Sequence, residues 1–137
     1  MSDFAQAALV ELSKWFDQGN AHRDPEAITW GRIAKIAEEN GEVIEAFIGA
    51  TGQNPRKGVT NSMDSVLAEL LDVAVTALGA YEHLDDHRGR SLAALDSKIM
   101  HVAYRAGLIA TSSSHDLEQA NHVQVDQQPH DSRKATA

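Results

Sequence analysis

Residues 35–46 read KIAEENGEVIEA and residues 69–73 read ELLDV. Each stretch carries two acids three positions apart, which are Glu39 with Glu42 and Glu69 with Asp72. Because an α-helix turns by about 100° per residue, side chains three positions apart point to nearly the same side. If the two helices pack antiparallel, all four carboxylates can converge on one point. These stretches therefore predict a pair of helices with an acidic cluster between them.

Such a cluster needs a compensating interaction. At separations of about 4–5 Å and an effective dielectric constant near 20, each contact between like charges costs on the order of 3–4 kcal/mol. The acids must then protonate, spread into water or hold a cation. Ligands that are all oxygen favour Mg²⁺ or Mn²⁺ over iron or zinc. A carboxylate di-iron bundle would need Glu-x-x-His pairs, and the sequence contains none.

The alternative is a solvated acidic face, because the acids lie roughly opposite the apolar residues of their helices, with Glu39 at the flank. Two observations favour the metal site. No Lys or Arg occurs between Lys57 and Arg88, so the acids of the third helix have no basic partner in their own helix. Gly41 also interrupts the helix interior, at a cost of about 1 kcal/mol relative to Ala, which indicates a close approach to the backbone.

Composition limits the classes of protein. The chain has 137 residues, 42% of them hydrophobic, which suits one domain with a single core. A net charge of −8 without a visible basic patch argues against nucleic acid as a partner. Cysteine is absent, and no apolar run approaches the roughly 20 residues of a membrane span. With no signal peptide visible at the N-terminus, we expect a cytoplasmic protein without membrane contact.

The pattern of apolar and turn-forming residues predicts an all-α, four-helix bundle over residues 1–110. The first, second and fourth helices are expected at about 4–18, 28–50 and 91–106. The third is expected to begin just after Thr60, Asn61 or Ser62, any of which could cap it, and to end near residue 83. Residues 111–137 are rich in Ser, Gln, Asp and His, and are predicted to form a disordered polar tail.

The apolar positions of the two central helices should form their buried faces. On the second helix these positions are Ile33, Ile36, Ala37, Val43, Ile44, Phe47 and Ile48; on the third they are Val66, Leu67, Leu70, Leu71, Ala74, Ala77, Leu78 and Tyr81. Four helices of this size leave apolar surface to cover, so a homodimer or homotetramer is expected.

The two acidic stretches resemble the MazG-like all-α nucleoside triphosphate pyrophosphohydrolases, whose hallmark is E-E-x-x-E on one helix and E-x-x-D on the next. The loop of residues 52–58, GQNPRKG, is similar to one in a short, single-domain branch of actinobacterial and phage proteins of this type. The resemblance covers residues 28–84 well and extends more weakly to Arg105.

The resemblance implies Mg²⁺-dependent hydrolysis of a nucleoside triphosphate, NTP or dNTP, to the monophosphate and pyrophosphate, in sanitation or regulation of the nucleotide pool. It implies that the metal ligands and catalytic residues are Glu39, Glu42, Glu69 and Asp72. Lys98 and Arg105 match positions of phosphate-binding residues on the last helix, although Val102 stands where Asn is common. Arg56 and Lys57 are further candidates for binding phosphate, from the loop.

A competing hypothesis is a non-catalytic helical module that binds nucleotide or another protein. The retention of all four ligand-type acids counts against it. A plain structural bundle is a third hypothesis, and it would not need the unpaired acids of the third helix.

Several other residues are candidates for binding. Trp15 and Trp30 could stack on a nucleobase, but for Trp30 packing in the core or between subunits is favoured. His83 and His87 have the spacing of zinc ligands, yet their position at a helix end beside two Asp residues favours a solvated terminus. No specific role is expected for three histidines of the tail, His115, His122 and His130.

Overall fold

A computed structural model of the chain describes residues 3–109, which contain four α-helices and no strand. The helices are α1 (Asp3–Gly19), α2 (Pro25–Thr51), α3 (Met63–Leu84) and α4 (Ser91–Arg105). The predicted all-α, four-helix fold is thereby confirmed. None of the described helices is long and apolar enough to cross a membrane. The predicted disordered tail, 111–137, lies outside the described residues.

The chain divides into two compact units, Met1–Asp96 and a second one that begins at Ser97. The first unit contains α1, α2, α3 and the beginning of α4. The described part of the second unit contains the rest of α4 and the residues as far as 109.

Local signals set the bounds of α2. Asp24 is its N-cap, and the Asp24 carboxylate accepts the backbone N–H of Glu26 at 2.9 Å. Pro25 follows at the first helical position, where the missing N–H costs nothing. Gly52 ends the helix with φ of 64°, the left-handed conformation that glycine adopts without steric penalty. The helix therefore begins three residues before the predicted start at residue 28.

The connection between α2 and α3 folds back against α2. The N–H of Thr60 donates to the carbonyl of Gly49 at 3.0 Å. A Cβ atom at Gly49 would lie 2.8 Å from Thr60 Oγ1, so only glycine permits this approach. Ser62 then caps α3 by accepting the N–H of Ser65 at 3.2 Å. This connection turns α3 antiparallel to α2.

A polar crossing point joins α1, α2 and α3. The Arg32 guanidinium of α2 donates to Ser13 Oγ of α1 and to the carbonyl of Gly79 in α3, both at 2.8 Å. Ser13 Oγ also donates to the same carbonyl at 2.8 Å. A Cβ atom at Gly79 would stand 3.3 Å from the guanidinium. The three helices therefore meet through hydrogen bonds at a position where the side chains are small.

The buried interior is more polar than the apolar pattern predicts. The largest fully buried side chains are Glu82, Ser13 and Ser91, whereas the buried hydrophobic residues are Leu9, Ala46, Val66, Ala80 and Leu92. Much of the predicted apolar face of the central helices is exposed: Ile33, Ile44, Phe47, Ile48, Leu67, Leu70, Leu71 and Tyr81. The prediction that these residues are buried is wrong for the single chain, because the helices turn polar side chains toward one another.

Glu82, which is 0% exposed, holds the start of α4. Its carboxylate accepts the N–H groups of Gly89 at 2.9 Å and Ser91 at 2.8 Å, and the side chain of Gln6 at 2.9 Å. Gln6 Oε1 in turn accepts the N–H of Leu92 at 2.9 Å. Burial by itself would raise the pKa of Glu82, but the hydrogen bonds from Ser91, Gly89 and Gln6 hold the pKa below its ordinary value of 4.5. Glu82 thus supplies acceptors to donors that the first turn of α4 leaves unpaired.

We predict that Glu82→Gln lowers the free energy of unfolding by about 2 kcal/mol at pH 7, because charge-assisted hydrogen bonds are replaced by weaker ones. Since the folded-state pKa is depressed, this stabilisation is present above 4.5 and is lost as the pH falls through the folded-state value. Urea unfolding at about pH 7 and about pH 3 measures the difference. The control is Glu11→Gln, which removes an exposed carboxylate of α1. An equal effect of Glu82→Gln at both pH values would contradict the prediction.

Candidate metal centre

Three of the four predicted acids come together between α2 and α3. One carboxylate oxygen from each of Glu39, Glu69 and Asp72 lies within 4.8 Å of the other two. Glu39 is 9% exposed, Glu69 is half-buried and Asp72 is exposed. Glu39 faces α3 and does not belong to a solvated acidic face, which was the alternative interpretation of these acids. The group opens to solvent on the side of Asp72.

The crossing point explains this convergence. Glu39 follows Arg32 by seven residues, or about two turns of α2, and Asp72 precedes Gly79 by the same number in α3. In an antiparallel pair, moving two turns along one helix corresponds to moving two turns back along the other. The contact between Arg32 and Gly79 therefore brings Glu39 opposite Asp72.

Glu42, the fourth predicted acid, stands apart from this group and is exposed. Glu42 is still close enough for the charges of this group to affect its pKa. The charge of Glu39 first, then partial desolvation and the charge of Glu69, raise the pKa of Glu42, with Lys35 opposing the shift. The negative charge of the three-carboxylate group therefore makes Glu42, at the edge of the group, harder to ionise.

One lysine partly neutralises the group. Lys35 Nζ lies 3.0 Å from a carboxylate oxygen of Glu38 and 3.0 Å from one of Glu39. The hydrogen bond to Glu38, followed by that to Glu39, raises the pKa of Lys35. Among residues 3–109, no basic side chain lies within ion-pair distance of Glu69 or Asp72. Negative charge in the group thus exceeds positive charge.

The donor set fits a hard divalent cation. Three carboxylates provide only oxygen ligands, the kind that Mg²⁺ and Mn²⁺ prefer. Mg²⁺ commonly uses a few protein carboxylates and keeps several waters, which suits a group that is open on one side. Lys35 is the one basic side chain among residues 3–109 that forms an ion pair with this group. Glu39, Glu69 and Asp72 are therefore the residues that can hold the metal.

The acidic group adjoins a cleft of about 570 Å³ between α1, α2 and α3. Pockets for small molecules are commonly about 300–1,000 Å³, so the cleft can accept a nucleotide-sized ligand. Glu39, Glu42 and Asp72 are among the residues that line it. Elsewhere the lining is mainly apolar, with contributions from Leu9, Leu12, Phe16, Ala27, Ile28 and Val75.

The cleft also has basic residues that the sequence analysis did not single out, namely Arg23, Arg32 and Lys35. Arg32 and Lys35 precede Glu39 by seven and four residues, so helical spacing places all three on one side of α2. The sequence alone could therefore have indicated that Arg32 and Lys35 lie on the same side of α2 as Glu39. Burial lowers the pKa of Arg32, and the charge of Asp17 opposes the shift. Arg23 lies in the exposed connection before α2.

The four predicted phosphate-binding residues are all exposed. Arg56 and Lys57 are exposed in the connection between α2 and α3 and do not line the cleft. Lys98 and Arg105 are exposed residues of α4 in the second unit. Their spacing of seven residues puts them on one side of that helix.

The structure also shows the surroundings of Gly41 and of the two tryptophans within the chain. A Cβ atom at Gly41 would meet no atom within 4 Å, so no packing contact of the described residues requires this glycine. Trp30 is 67% exposed, and packing in the core of the chain is excluded for it. Trp15 is also exposed, and its ring meets that of Phe16 edge to face at 5.0 Å between centroids.

Comparison of the chain with protein-family models, with curated proteins and with solved structures finds no match.

We predict that Glu42→Gln stabilises the metal-free protein at neutral pH, because it removes one of the charges that repel each other. The raised folded-state pKa of Glu42 means that its contribution to stability is full below 4.5 and is lost as the pH rises through the folded-state value. In the presence of EDTA, the variant should melt at a higher temperature than the wild type at about pH 7.5, and the gap should close at about pH 4. Glu45→Gln, which removes a neighbouring exposed carboxylate of α2, is the control. A gap that does not change with pH would contradict the prediction.

Proposed function

We propose that the protein hydrolyses a nucleoside triphosphate, NTP or dNTP, to the monophosphate and pyrophosphate with Mg²⁺. The observation that carries the proposal is the meeting of Glu39, Glu69 and Asp72 within 4.8 Å, beside a cleft that also has basic and apolar walls. A nucleotide triphosphate has complementary parts, because its phosphates are strongly anionic and its base is flat and largely apolar.

The basic residues of the cleft suit the phosphates. Lys35 lies beside Glu39, at the border between the acidic group and the rest of the cleft. Arg23 is exposed and free to turn toward a ligand, whereas Arg32 is held by Ser13 and Gly79. We assign the phosphate contacts to Lys35 and Arg23, and a fixed positive potential to Arg32. Lys98, Arg105, Arg56 and Lys57 remain candidates for further phosphate contacts.

The apolar part of the cleft suits the nucleoside. Phe16 presents an aromatic ring there, with the Arg32 guanidinium 5.0 Å from the ring centroid. Leu9, Leu12 and Ile28 form the neighbouring apolar walls. An aromatic ring and aliphatic walls bind a base through its faces and bury its apolar surface.

In this proposal the acids hold the metal and position water. When bound, Mg²⁺ would neutralise the triphosphate and stabilise the charge that develops at the α-phosphorus. Glu39, Glu69 and Asp72 supply its protein ligands. Glu42, exposed at the rim, orients the attacking water and accepts its proton, a role that its raised pKa favours.

We further propose that two copies of the chain, or four, associate through the exposed apolar residues of α2 and α3. Phe47 and Ile44 on α2, and Leu67, Leu70 and Leu71 on α3, are all more than 40% exposed. Monomeric proteins seldom leave so many large apolar side chains on neighbouring helices in water. A second copy offers an equivalent apolar surface, which a twofold interface pairs with itself. The nucleotide substrate and the cysteine-free sequence favour a cytoplasmic location.

We predict that the purified full chain, incubated with a panel of NTPs and dNTPs and Mg²⁺, releases pyrophosphate and the monophosphate. Glu69→Gln and Asp72→Asn should each lower kcat/KM by at least about 100-fold, because each removes a charge that holds the metal. Glu45→Gln should retain activity. Chromatography identifies the products, and a pyrophosphate assay measures the rates of the wild type and of the variants.

Two other outcomes would refute this reaction. Release of orthophosphate and diphosphate would identify a different hydrolase. Metal-dependent nucleotide binding without turnover would instead support the non-catalytic nucleotide-binding module.

We predict that Leu71→Arg converts the proposed oligomer to monomers, because Leu71 is 68% exposed on α3 and a charge there would be buried by association. The dissociation constant should rise by at least about 100-fold, the effect of losing a central apolar contact. Light scattering after size exclusion measures the mass. Gln18→Arg adds the same charge at an exposed polar position of α1 and should not change it. A wild-type protein that is monomeric at high concentration would contradict the prediction.

A further inference from the structure

The end of α3 carries a second cluster of potential metal ligands, separate from the acidic group. Asp17 of α1, His83 of α3 and His87 just after α3 each offer one ligand atom, and these atoms lie within 4.8 Å of one another. His83 Nδ1 lies 2.7 Å from Asp17 Oδ2, and His87 Nε2 lies 3.1 Å from the same oxygen. Their side chains are 17–21% exposed, so the expected solvated helix end is not observed.

We propose that Asp17, His83 and His87 bind a divalent transition metal ion of the Zn²⁺ type. Two imidazoles and one carboxylate are a common zinc ligand set, leaving one position of a tetrahedral site for water. Bonds of about 2.0–2.1 Å at tetrahedral angles separate ligand atoms by about 3.3 Å. The observed separations of 2.7 and 3.1 Å are shorter than this by about 0.6 and about 0.2 Å, so a bound ion requires a small outward shift of these side chains.

One tautomer of His83 is suited to binding a cation through Nδ1. The Thr29 hydroxyl donates its single hydrogen to the carbonyl of Pro25 at 3.1 Å. In the tautomer of His83 that carries its hydrogen on Nε2, this nitrogen donates to the Thr29 oxygen at 3.0 Å. A neutral imidazole has only one N–H, so Nδ1 would face Asp17 Oδ2 with a lone pair. A metal ion bound by both atoms removes that repulsion, and Thr29 orients the ring as an outer-shell partner.

Unpaired atoms provide an independent observation. Asp17 Oδ1 and His87 Nε2 are buried from solvent and have no hydrogen-bond partner. His87 Nε2 is near Asp17 Oδ2 but is not directed along the line to it. A metal ion bound by both atoms would lie to one side of the line that joins them, because the two bonds of a tetrahedral ion meet at about 109°. His87 reaches the cluster from a left-handed backbone conformation, with φ of 54°, which is uncommon for a residue other than glycine.

The surrounding charges select the type of ion. Arg32 Nε lies 3.8 Å from Asp17 Oδ1 and partly neutralises this carboxylate. With a single, partly neutralised carboxylate, the cluster offers little to Mg²⁺, which prefers several oxygen ligands. The two imidazole nitrogens instead favour Zn²⁺, Co²⁺ or Ni²⁺. The cluster therefore differs in selectivity from the acidic group, and its occupation does not depend on the proposed hydrolysis.

Cobalt absorption tests the site on the metal-free full chain. One equivalent of Co²⁺ should give the intense visible bands of tetrahedral coordination, which Zn²⁺ abolishes and an excess of Mg²⁺ does not. Asp17→Asn, His83→Gln and His87→Gln should each abolish the bands. Thr29→Val should weaken Co²⁺ binding by about 10-fold, as expected for an outer-shell partner.

Matched variants separate this site from other ligands of the chain. His22→Gln, and a triple variant with Gln at His115, His122 and His130, should keep the bands. Glu39→Gln and Glu69→Gln, which alter the acidic group, should also keep them. Circular dichroism identifies any variant that does not fold. Absence of tetrahedral bands in the wild type, or their loss in the triple variant or in the acidic-group variants, would overturn the proposal.

Discussion

The hydrogen bonds of Arg32 at the crossing of three helices determine where the other polar groups lie. One guanidinium nitrogen bridges Ser13 Oγ and the carbonyl of Gly79, and the absence of a side chain at position 79 permits the approach. A buried cation of this kind is costly to leave unpaired, so the two acceptors specify its position. Given this contact, α2 and α3 have one antiparallel register.

That register has consequences in both directions along the helix pair. Two turns away, Glu39 meets Asp72 and Glu69, and an acidic group forms beside the cleft. In the opposite direction, Thr29 meets His83 at 3.0 Å, beside Asp17. The same crossing point therefore sets the geometry of two clusters with different chemistry. One has only oxygen ligands, whereas the other combines a carboxylate with two imidazoles.

The polar interior also accounts for the apolar exterior. A helix that turns Glu39 or Glu82 toward its neighbours must turn other residues outward, and on α3 these include Leu70 and Leu71. Hydrogen bonds and ion pairs then specify how the helices pack inside the chain. The Glu82 carboxylate, which accepts the N–H groups of Gly89 and Ser91, is an example. The apolar surface left outside is available for association between copies, which is the basis of the proposed oligomer.

The sequence by itself determined the helices, their approximate ends and the pairing of acids three residues apart, because each depends on residues close in the chain. Gly52 and Ser62, for example, act on their own helix ends. The tertiary structure alone decided that Glu39 is buried, that Arg23, Arg32 and Lys35 share its cleft, and that Asp17 meets His83 and His87. Helical periodicity fixes angles within one helix, but not its rotation against a neighbour. That rotation depends on contacts between residues far apart in sequence, such as Arg32 and Gly79.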